Sequence, residues 1–352
     1  MTHDAPLRAA IEQLALGSSL TGEEAAAAFG VVMRGEASPV QTAAMLMGLR
    51  SKGETAEELA GAAIALRRAM VRLEVDEGGS LVDTCGTGGG KVGTLNLSTA
   101  AAFVTAGAGV AVAKHGNRSY TSRCGSADLI EALGIEATLL PEAAAEVLRQ
   151  VGMVFLFAPN YHPAMRHVAL VRKELGVATI MNLLGPLVNP AGVTRQVIGV
   201  ADGDRAPLVA QALARLGAAH ALVLHAAVGM DEISPSGTTR VWEVRDGSVE
   251  LWEIDPADYG LQCDDLLSLA GGEPPENAEK IERLFEGHSE EALRCAVLLN
   301  AGAALYVSGN GWSFEEAAER AAAALDGGAG AEALARMRAA APRVTAARAT
   351  AP

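Results

Sequence analysis

The sequence contains few cysteines. The four residues lie far apart in the 352-residue chain and form no CxxC pair: Cys85, Cys124, Cys263 and Cys295. Disulfide frameworks and structural zinc sites normally use closely spaced cysteines, so this pattern argues against both. We therefore expect four reduced thiols.

Positive charge is also scarce. The chain has 28 Lys and Arg residues against 42 Asp and Glu residues, which gives a formal net charge of −14. Such a balance repels nucleic acids and anionic membranes, so we expect neither as a partner. Any anion that the protein binds must be held by a local cluster of donors.

Long apolar runs are missing as well. The stretch AAFVTAGAGVAVA is too short and too rich in Gly and Ala to span a bilayer. The N-terminal MTHDAPLRAA lacks the basic-then-apolar order of a signal peptide, so we expect a cytoplasmic protein. With 50% hydrophobic residues, the chain is predicted to fold and has room for two or three domain-sized units.

The first part of the chain is typical of a small helical unit. Three segments match the S/T-x-x-E/Q capping box that begins a helix, namely Thr21 to Glu24, Ser38 to Gln41 and Thr55 to Glu58. Apolar residues follow each of them at helical spacing. We predict a helical N-terminal domain over residues 1–75.

Beyond this unit, short apolar runs bounded by glycine alternate with helical segments. The runs are SLVDTCG, AGVAVAKHG, MVFLFAP, VIGVADG and ALVLHAA. This alternation predicts an α/β fold, in which a mostly parallel central sheet flanked by helices spans residues 76–340. RVWEVRDGSVELWEI predicts a β-hairpin turning at Asp246-Gly247. Residues 341–352 are expected to form a disordered tail.

A glycine-rich loop follows the first predicted strand. DTCGTGGGKVGTLNLST has five glycines and no acid after Asp83, and Asn96, Ser98 and Thr99 open the next helix. Ligands of open α/β sheets bind at such strand ends, where glycine-loop and helix N-terminal amides hold anions. The motif is neither a Walker A loop nor a GxGxxG fingerprint. It indicates a phosphate site, and a glycine loop that merely packs tightly is the alternative.

A cationic loop, KHGNRSYTSRCGSAD, is predicted after the strand AGVAVA. It is the densest cluster of cationic and hydroxyl groups in this acidic chain, with Lys114, His115, Asn117, Arg118, Ser119, Thr121, Ser122 and Arg123. These donors suit a phosphorylated ligand, and a solvated basic turn is the alternative. Two such loops after consecutive strands favour the binding site.

An acidic pair completes the predicted phosphate side. Asp231 and Glu232 follow the strand ALVLHA and are expected at the same sheet edge. Together with the hydroxyl of Ser98 they offer the oxygen ligands that Mg²⁺ prefers. A surface acidic pair is the alternative.

A second substrate is predicted to bind near NYHPAMRHVALVRKELG and NLLGPLVNPA. On one helix, His162, Arg166, Ala169 and either Arg172 or Lys173 would share a face. An arginine there could clamp a carboxylate bidentately, and a role at the helix surface is the alternative.

Together these motifs resemble the anthranilate phosphoribosyltransferase family. The match runs in order to about residue 340 through GTGG, NLST, KHGNR, GSAD, YHPAM, VRKELG, NLLGPLVNP and GMDEIS. The resemblance implies transfer of the phosphoribosyl group of 5-phosphoribosyl 1-pyrophosphate to the amine of anthranilate in tryptophan biosynthesis, with Mg²⁺ and release of pyrophosphate. It also implies a homodimer joined through the helical domains.

The resemblance assigns site residues by position. Phosphoribosyl pyrophosphate would be surrounded by Gly86, Gly89, Gly90, Thr94, Asn96, Leu97, Ser98, Thr99, Lys114, His115, Gly116, Asn117, Arg118, Ser119, Ser122 and Ser126. Anthranilate would be held or enclosed by Gly86, Asn117, His162, Arg172, Gly185 and Pro186, with His115 lining the same channel. Magnesium would be bound by Ser98, Asp231 and Glu232. No dedicated catalytic base is implied, and Arg172, Asn117 and His115 would act through positioning and electrostatics.

Three positions depart from the family pattern. Gly90 stands where GTGGD has its acid, Ala178 where LGxRT has its arginine, and Cys124 where KSGSAD has its first serine. Two other functions remain open: a pyrimidine nucleoside phosphorylase, whose motifs differ in wording, and a noncatalytic nucleic-acid-binding relative. The second would need a basic surface, against which the net charge argues.

Overall fold

The N-terminal part of the protein consists of four helices. The computed structural model describes residues 3–75, 80–90, 92–119 and 123–342. The four helices are α1 (Ala5–Ala15), α2 (Gly22–Met33), α3 (Pro39–Lys52) and α4 (Ala56–Ala69). All three predicted capping boxes are confirmed, at the starts of α2, α3 and α4.

The rest of the chain forms a seven-stranded sheet. Its strands are β1 (Leu81–Gly86), β2 (Ala111–Gly116), β3 (Met153–Phe157), β4 (Arg195–Gly199), β5 (His220–Ala226), β6 (Thr239–Arg245) and β7 (Ser248–Ile254). They lie in the order β3-β2-β1-β4-β5-β6-β7, in which β1 to β5 are parallel and β6 and β7 antiparallel. The predicted mostly parallel sheet is therefore confirmed.

The predicted hairpin is also confirmed. It joins β6 and β7, and its two turn residues, Asp246 and Gly247, have φ angles of 51° and 76°. Two residues with positive φ form the tight turn that matches the twist of paired strands.

Helices flank both faces of the sheet. They are α5 (Leu97–Gly107), α6 (Ser126–Ala132), α7 (Pro141–Val151), α8 (Ala158–Tyr161), α9 (Arg166–Leu175), α10 (Met181–Leu184), α11 (Ala206–Arg215), α12 (Pro274–Phe285), α13 (Glu291–Tyr306), α14 (Phe314–Asp326) and α15 (Ala329–Ala340). None of the described helices is long and apolar enough to cross a membrane. The disordered tail expected over residues 341–352 is wrong at its start, because Ala341 is buried and Pro342 forms a bridge with Ile135, and residues 343–352 lie outside the described residues.

Neighbouring side chains of β4 pack into two separate hydrophobic cores. Val197 belongs to the core that includes α5 and α13, whereas Ile198 belongs to the core that includes Phe29 and Leu59 of the N-terminal helices. Since successive side chains of a strand point to opposite faces, α1 to α4 help to cover one face of the sheet. The domain boundaries at residues 75 and 340 stay predictions.

Candidate active site

The candidate site lies where the order of the strands reverses. β1 and β4 are neighbours, and their last residues, Gly86 and Gly199, pair with each other. The N–H of Thr87 donates to the carbonyl of Gly199 at 2.9 Å, so the chain leaves β1 across the end of β4. In open parallel sheets this crevice at the carboxyl ends of the strands is where ligands bind.

The glycine-rich loop crosses this crevice. Gly88 and Gly89 have φ angles of 69° and 83°, a conformation that other residues adopt only with strain. The loop leads into α5, whose first residue is Leu97 and whose preceding residue is Asn96. Leu97 and Thr99 are buried. Their N–H groups donate to the carbonyls of Leu95 at 2.6 Å and Asn96 at 3.0 Å, so their contact with phosphoribosyl pyrophosphate stays a prediction.

The side chain of Asp231 faces the glycine-rich loop. A Cβ atom placed on Gly86 would lie 3.0 Å from Oδ2 of Asp231, and one placed on Gly90 would lie 2.8 Å from Oδ1. A Cβ on Gly199 would overlap the backbone carbonyl of Asp231. Three glycines therefore make room for Asp231, and burial raises the pKa of its carboxyl group.

Glu232 lies beside Asp231 at the start of α5. Its carboxylate accepts a hydrogen bond from the hydroxyl of Thr94 at 2.9 Å and another from the N–H of Ser98 at 3.2 Å. Burial, followed by the charge of Asp231, raises the pKa of Glu232 to about 8. Two half-buried carboxylates side by side disfavour ionising together unless a cation lies near them.

The residues present suit a magnesium ion. Ser98, Asp231 and Glu232 supply only oxygen atoms, which are the ligands of hard cations. Within the described ranges, no group of three or more His, Cys, Asp or Glu side chains could hold a metal by itself. Mg²⁺ commonly keeps several waters and completes its shell with substrate phosphates, so a site with two carboxylates fits.

Lys114 also reaches this point, from β2. Its ammonium group donates to the carbonyl of Thr84 and, at 3.1 Å, to the hydroxyl of Ser98. The side chain is buried, and burial lowers its pKa. The prediction that the cationic loop begins at Lys114 is therefore wrong, because Lys114, His115 and Gly116 pair with β3 as the end of β2.

The rest of the cationic loop is organised by Asp128. Its carboxylate accepts hydrogen bonds from the N–H groups of Ser119 at 3.3 Å and Gly125 at 2.9 Å, and from the guanidinium of Arg118 at 2.8 Å. Arg118 also pairs with Glu131. Its charge is thus compensated within the protein, so its role toward phosphoribosyl pyrophosphate stays a prediction.

Two other loop residues close the turn before α6. The carbonyl of Asn117 accepts hydrogen bonds from the hydroxyl of Ser126 at 3.3 Å and from the N–H of Ala127 at 3.2 Å. The predicted site residue Ser122 lies outside the described residues.

Two histidines meet on the predicted anthranilate side. The Nε2 atoms of His115 and His162 are 3.2 Å apart, and both side chains are buried. Each ring also forms a hydrogen bond with the backbone of the turn at 185–188. His115 contacts Gly185, and His162 contacts Val188. Burial lowers the pKa of His115 to about 3, with a contribution from His162, and that of His162 to about 4. Both imidazoles are therefore neutral at pH 7.

The prediction that His162 shares a helix face with Arg172 is wrong. His162 lies between α8 and Pro163, and α9 begins only at Arg166. On α9, Val168 and Val171 are buried, Arg166, Ala169 and Lys173 are exposed on the other side, and Arg172 is half-buried at the edge of the buried face. The Pro186 side chain is buried next to Gly185, so the two histidines and this turn form one wall.

Two asparagines in the C-terminal half support the site and were not predicted. Asn300 donates to the carbonyl of Ile233 at 2.9 Å and accepts from its N–H at 3.1 Å, which fixes the residue after Glu232. Asn277 donates to the side-chain oxygen of Asn96 at 3.1 Å. A lone asparagine in the apolar run of α13 was the available signal for Asn300, but Asn277 lies in a polar segment without one.

The three departures from the family pattern lie in different surroundings. Gly90 contacts Asp231 as described, Ala178 is exposed, and Cys124 is buried. Burial raises the pKa of the Cys124 thiol to about 11, so it is protonated and unreactive at pH 7.

Family models match both parts of the chain. Residues 8–70 match the helical bundle domain of a glycosyl transferase family, and residues 78–331 match the a/b domain of the same family. Both parts therefore carry the sequence pattern of one enzyme family.

One relative and two solved structures show which enzyme of this glycosyl transferase family the chain resembles. Anthranilate phosphoribosyltransferase from Rubrobacter xylanophilus is 48% identical over 94% of this chain and 96% of its own length. The crystal structure of the enzyme from Thermus thermophilus has a TM-score of 0.89 and 44% identity, covering 94% of this chain and 98% of that one. The Saccharomyces cerevisiae enzyme in complex with phosphoribosyl pyrophosphate and Mg has a TM-score of 0.86 and 26% identity, covering 96% and 98%. Since sequence and fold agree along almost its whole length, the chain belongs to the anthranilate phosphoribosyltransferase family.

Proposed function

We propose that this protein transfers the phosphoribosyl group of 5-phosphoribosyl 1-pyrophosphate to the amine of anthranilate, giving N-(5-phosphoribosyl)anthranilate and pyrophosphate. The observation that carries the proposal is the cluster of the half-buried Asp231, Glu232 and Ser98 with the buried Lys114 at the start of α5. It combines carboxylates for a cation with donors for a phosphate.

The phosphate side would be formed by two strand ends. The glycine-rich loop would present its backbone N–H groups to the phosphates beside the N-terminus of α5, whose dipole favours anions. Lys114 adds a fixed positive charge, and Asn96 is held in place by Asn277 at 3.1 Å. The other residues assigned by the resemblance, including Gly89, Thr94, Gly116, Ser119 and Ser126, would surround the sugar and phosphates.

Magnesium would be held by Asp231, Glu232 and Ser98. When bound, the ion neutralises charge on the pyrophosphate leaving group, which lowers the barrier to its departure. Because the pKa of Glu232 is about 8 without a cation, binding of the ion at pH 7 would release a proton from this carboxyl group. The yeast relative is described with phosphoribosyl pyrophosphate and Mg bound, which supports the same use here.

The acceptor would bind between the two histidines, the turn at Gly185 and Pro186, and Arg172. The lone pair of the anthranilate nitrogen attacks C1 of the ribose, the bond from C1 to the pyrophosphate oxygen breaks, and the nitrogen then loses a proton. An arylamine is already neutral at pH 7, so positioning and electrostatic stabilisation contribute more than a dedicated base. The neutral His115 and His162 fit this role, because neither repels the positive charge that grows on the sugar.

The decisive experiment mixes the purified protein with phosphoribosyl pyrophosphate, anthranilate and Mg²⁺ and follows the loss of anthranilate fluorescence. We expect Mg²⁺-dependent loss with one pyrophosphate released per anthranilate consumed. Binding of phosphoribosyl pyrophosphate without turnover would contradict the proposed acceptor. Phosphorolysis of a pyrimidine nucleoside would instead favour the phosphorylase alternative.

Arg172→Ala is expected to raise the KM for anthranilate by about tenfold, because a charged hydrogen bond to the carboxylate is lost. The KM for phosphoribosyl pyrophosphate is expected to change little. Lys173→Ala is the matched control, since Lys173 is the next residue of α9 and is exposed. Initial rates at varied anthranilate concentration measure the KM of both variants. An unchanged anthranilate KM in Arg172→Ala would remove Arg172 from this role.

We also propose that the protein is a homodimer joined through α1 and α3. Val40 is 79% exposed, and Ala43, Ala44 and Met47 follow it at the spacing of one helix face. Leu16, just after α1, is 84% exposed. Apolar side chains left open in this way favour a protein interface. The cytoplasmic location and the absence of nucleic-acid partners stay predictions.

Val40→Asp is expected to convert the dimer to a monomer, because a charge would be buried without a partner in the interface. Leu251→Asp on β7 is the control, since Leu251 is also exposed but lies on the far edge of the sheet. Light scattering after gel filtration measures the mass of each. A monomeric wild type, or dissociation only in the control, would contradict the proposal.

A further inference from the structure

Asp83 is the acid that begins the glycine-rich motif, and the functions above give it no role. It lies in β1 and is fully buried. One carboxylate oxygen accepts from the backbone N–H of His115 at 3.1 Å. The other accepts from the side-chain amides of Asn189 at 2.8 Å and Gln196 at 3.5 Å. These contacts use Asp83 only as an acceptor, which suits its ionised form.

The two amides that contact Asp83 also hold the acceptor-side turn. The amide of Gln196 donates to the carbonyl of Pro186 at 2.8 Å. Asn189 donates to the carbonyl of Ala113 at 2.9 Å, and its oxygen accepts from the N–H of Ala191 at 2.8 Å. The carboxylate therefore joins the ends of the turn at 185–191 to the strands beneath it.

The charge of Asp83 is balanced without a direct ion pair. Burial raises its pKa, whereas the charge of Lys114 and the donors of Asn189 and His115 oppose that rise. Asn189 and Gln196 are themselves buried, so no group of this network is free to exchange its partner for bulk water. A network of this kind fixes one arrangement, because any unmet donor or acceptor would be costly.

We propose that Asp83 is a positioning residue for the acceptor substrate. It sets the backbone of His115 and the carbonyl of Pro186 at fixed places, and both groups belong to the wall of the channel proposed for anthranilate. Asp83 itself does not touch either substrate. The inference rests on the proposed function, since it concerns the same acceptor.

Asp83→Asn tests the proposal with almost no change in shape. One oxygen becomes an NH2 group, and whichever way it is oriented it faces a donor, either His115 N–H or the amide of Asn189. We expect the KM for anthranilate to rise about tenfold, and the KM for phosphoribosyl pyrophosphate to change less than about twofold. This split distinguishes positioning of the acceptor from a general loss of structure.

Glu58→Gln is the matched control for a buried carboxylate. Glu58 is fully buried in the helical layer and accepts from the N–H groups of Leu20 and Thr55, both at 2.8 Å, and from Lys52 at 3.0 Å. Its loss is expected to lower stability and to leave both KM values unchanged. An equal rise of the anthranilate KM in this control would overturn the proposal.

Two further variants keep the test decisive if Asp83→Asn folds poorly. The double variant Asp83→Asn with Asn189→Asp moves the carboxylate across the same 2.8 Å contact, and we expect it to regain part of the lost anthranilate affinity. Gln196→Met leaves Asp83 in place but removes the hydrogen bond to Pro186 and the 3.5 Å contact with Asp83, and it is expected to raise the anthranilate KM a few-fold.

The outcomes separate this proposal from the proposed function. If the wild type does not consume anthranilate, the proposed function fails. If the wild type is active but Asp83→Asn and Gln196→Met leave the anthranilate KM unchanged, or raise both KM values equally, Asp83 is not a positioning residue for the acceptor.

Discussion

Replacement of Asp231 and Glu232 by Asn and Gln together is expected to lower kcat by about a hundred- to a thousandfold, the loss that follows removal of a major electrostatic contact in a transition state. The reason is that both carboxylates are half-buried beside the glycine-rich loop, where they offer a cation anionic oxygens next to Ser98. The Mg²⁺ concentration that gives half-maximal rate is expected to rise in the same variant. Rates measured over a series of Mg²⁺ concentrations test both effects.

A second adjacent acidic pair provides the control. Glu290 and Glu291 are exposed at the start of α13, so their replacement by Gln removes the same two charges from the chain far from the crevice. Its magnesium profile is expected to match that of the wild type. An unaltered magnesium profile in the Asp231 and Glu232 variant would refute their assignment as metal ligands.

Acid is expected to destabilise this protein through His115 and His162. Their pKa values in the folded state are about 3 and about 4, below the usual 6.5. At pH values between the folded-state pKa and 6.5, each histidine is protonated in the unfolded chain but neutral in the folded one. The free energy of unfolding therefore rises with pH in this window and is lost as the pH falls below about 6.5. Each imidazole is expected to contribute a slope of about 1.4 kcal/mol per pH unit over this window.

Urea unfolding at a series of pH values measures this slope. The double variant His115→Asn with His162→Asn removes both groups, and its free energy of unfolding is expected to fall less steeply on acidification than that of the wild type. His288→Asn removes an exposed histidine after α12 and is expected to leave the slope unchanged. Parallel curves for the wild type and the double variant would contradict the prediction.

Local signals in the sequence predicted much of the fold. The capping boxes depend on residues three apart, and the Asp246-Gly247 turn depends on two neighbours, so the sequence alone suffices for both. The end of β2 was missed because Lys114 is charged, and a buried lysine is unusual in a strand. Its burial depends on Thr84 and Ser98, which are distant in sequence.

The candidate site was predictable only in part for the same reason. Its residues were assigned by motifs, but the contacts that fix them come from far along the chain. Asn277 and Asn300 are 181 and 67 residues from Asn96 and Ile233, which they hold. Pro163 separates His162 from α9, and helical spacing alone ignores such a break. Periodicity describes one element at a time and cannot supply these long-range partners.

The close approach of Gly199 to Asp231 limits how this sequence can drift. The carbonyl of Asp231 occupies the space of a side chain at the end of β4, so even alanine at position 199 would displace the backbone that carries the acidic pair. A saturation library at this position should therefore return glycine alone among active clones, although its neighbour Val200 is an ordinary core residue open to conservative exchange. The substitutions accepted on the metal side of the site are thus restricted by Gly199, a residue that has no functional group.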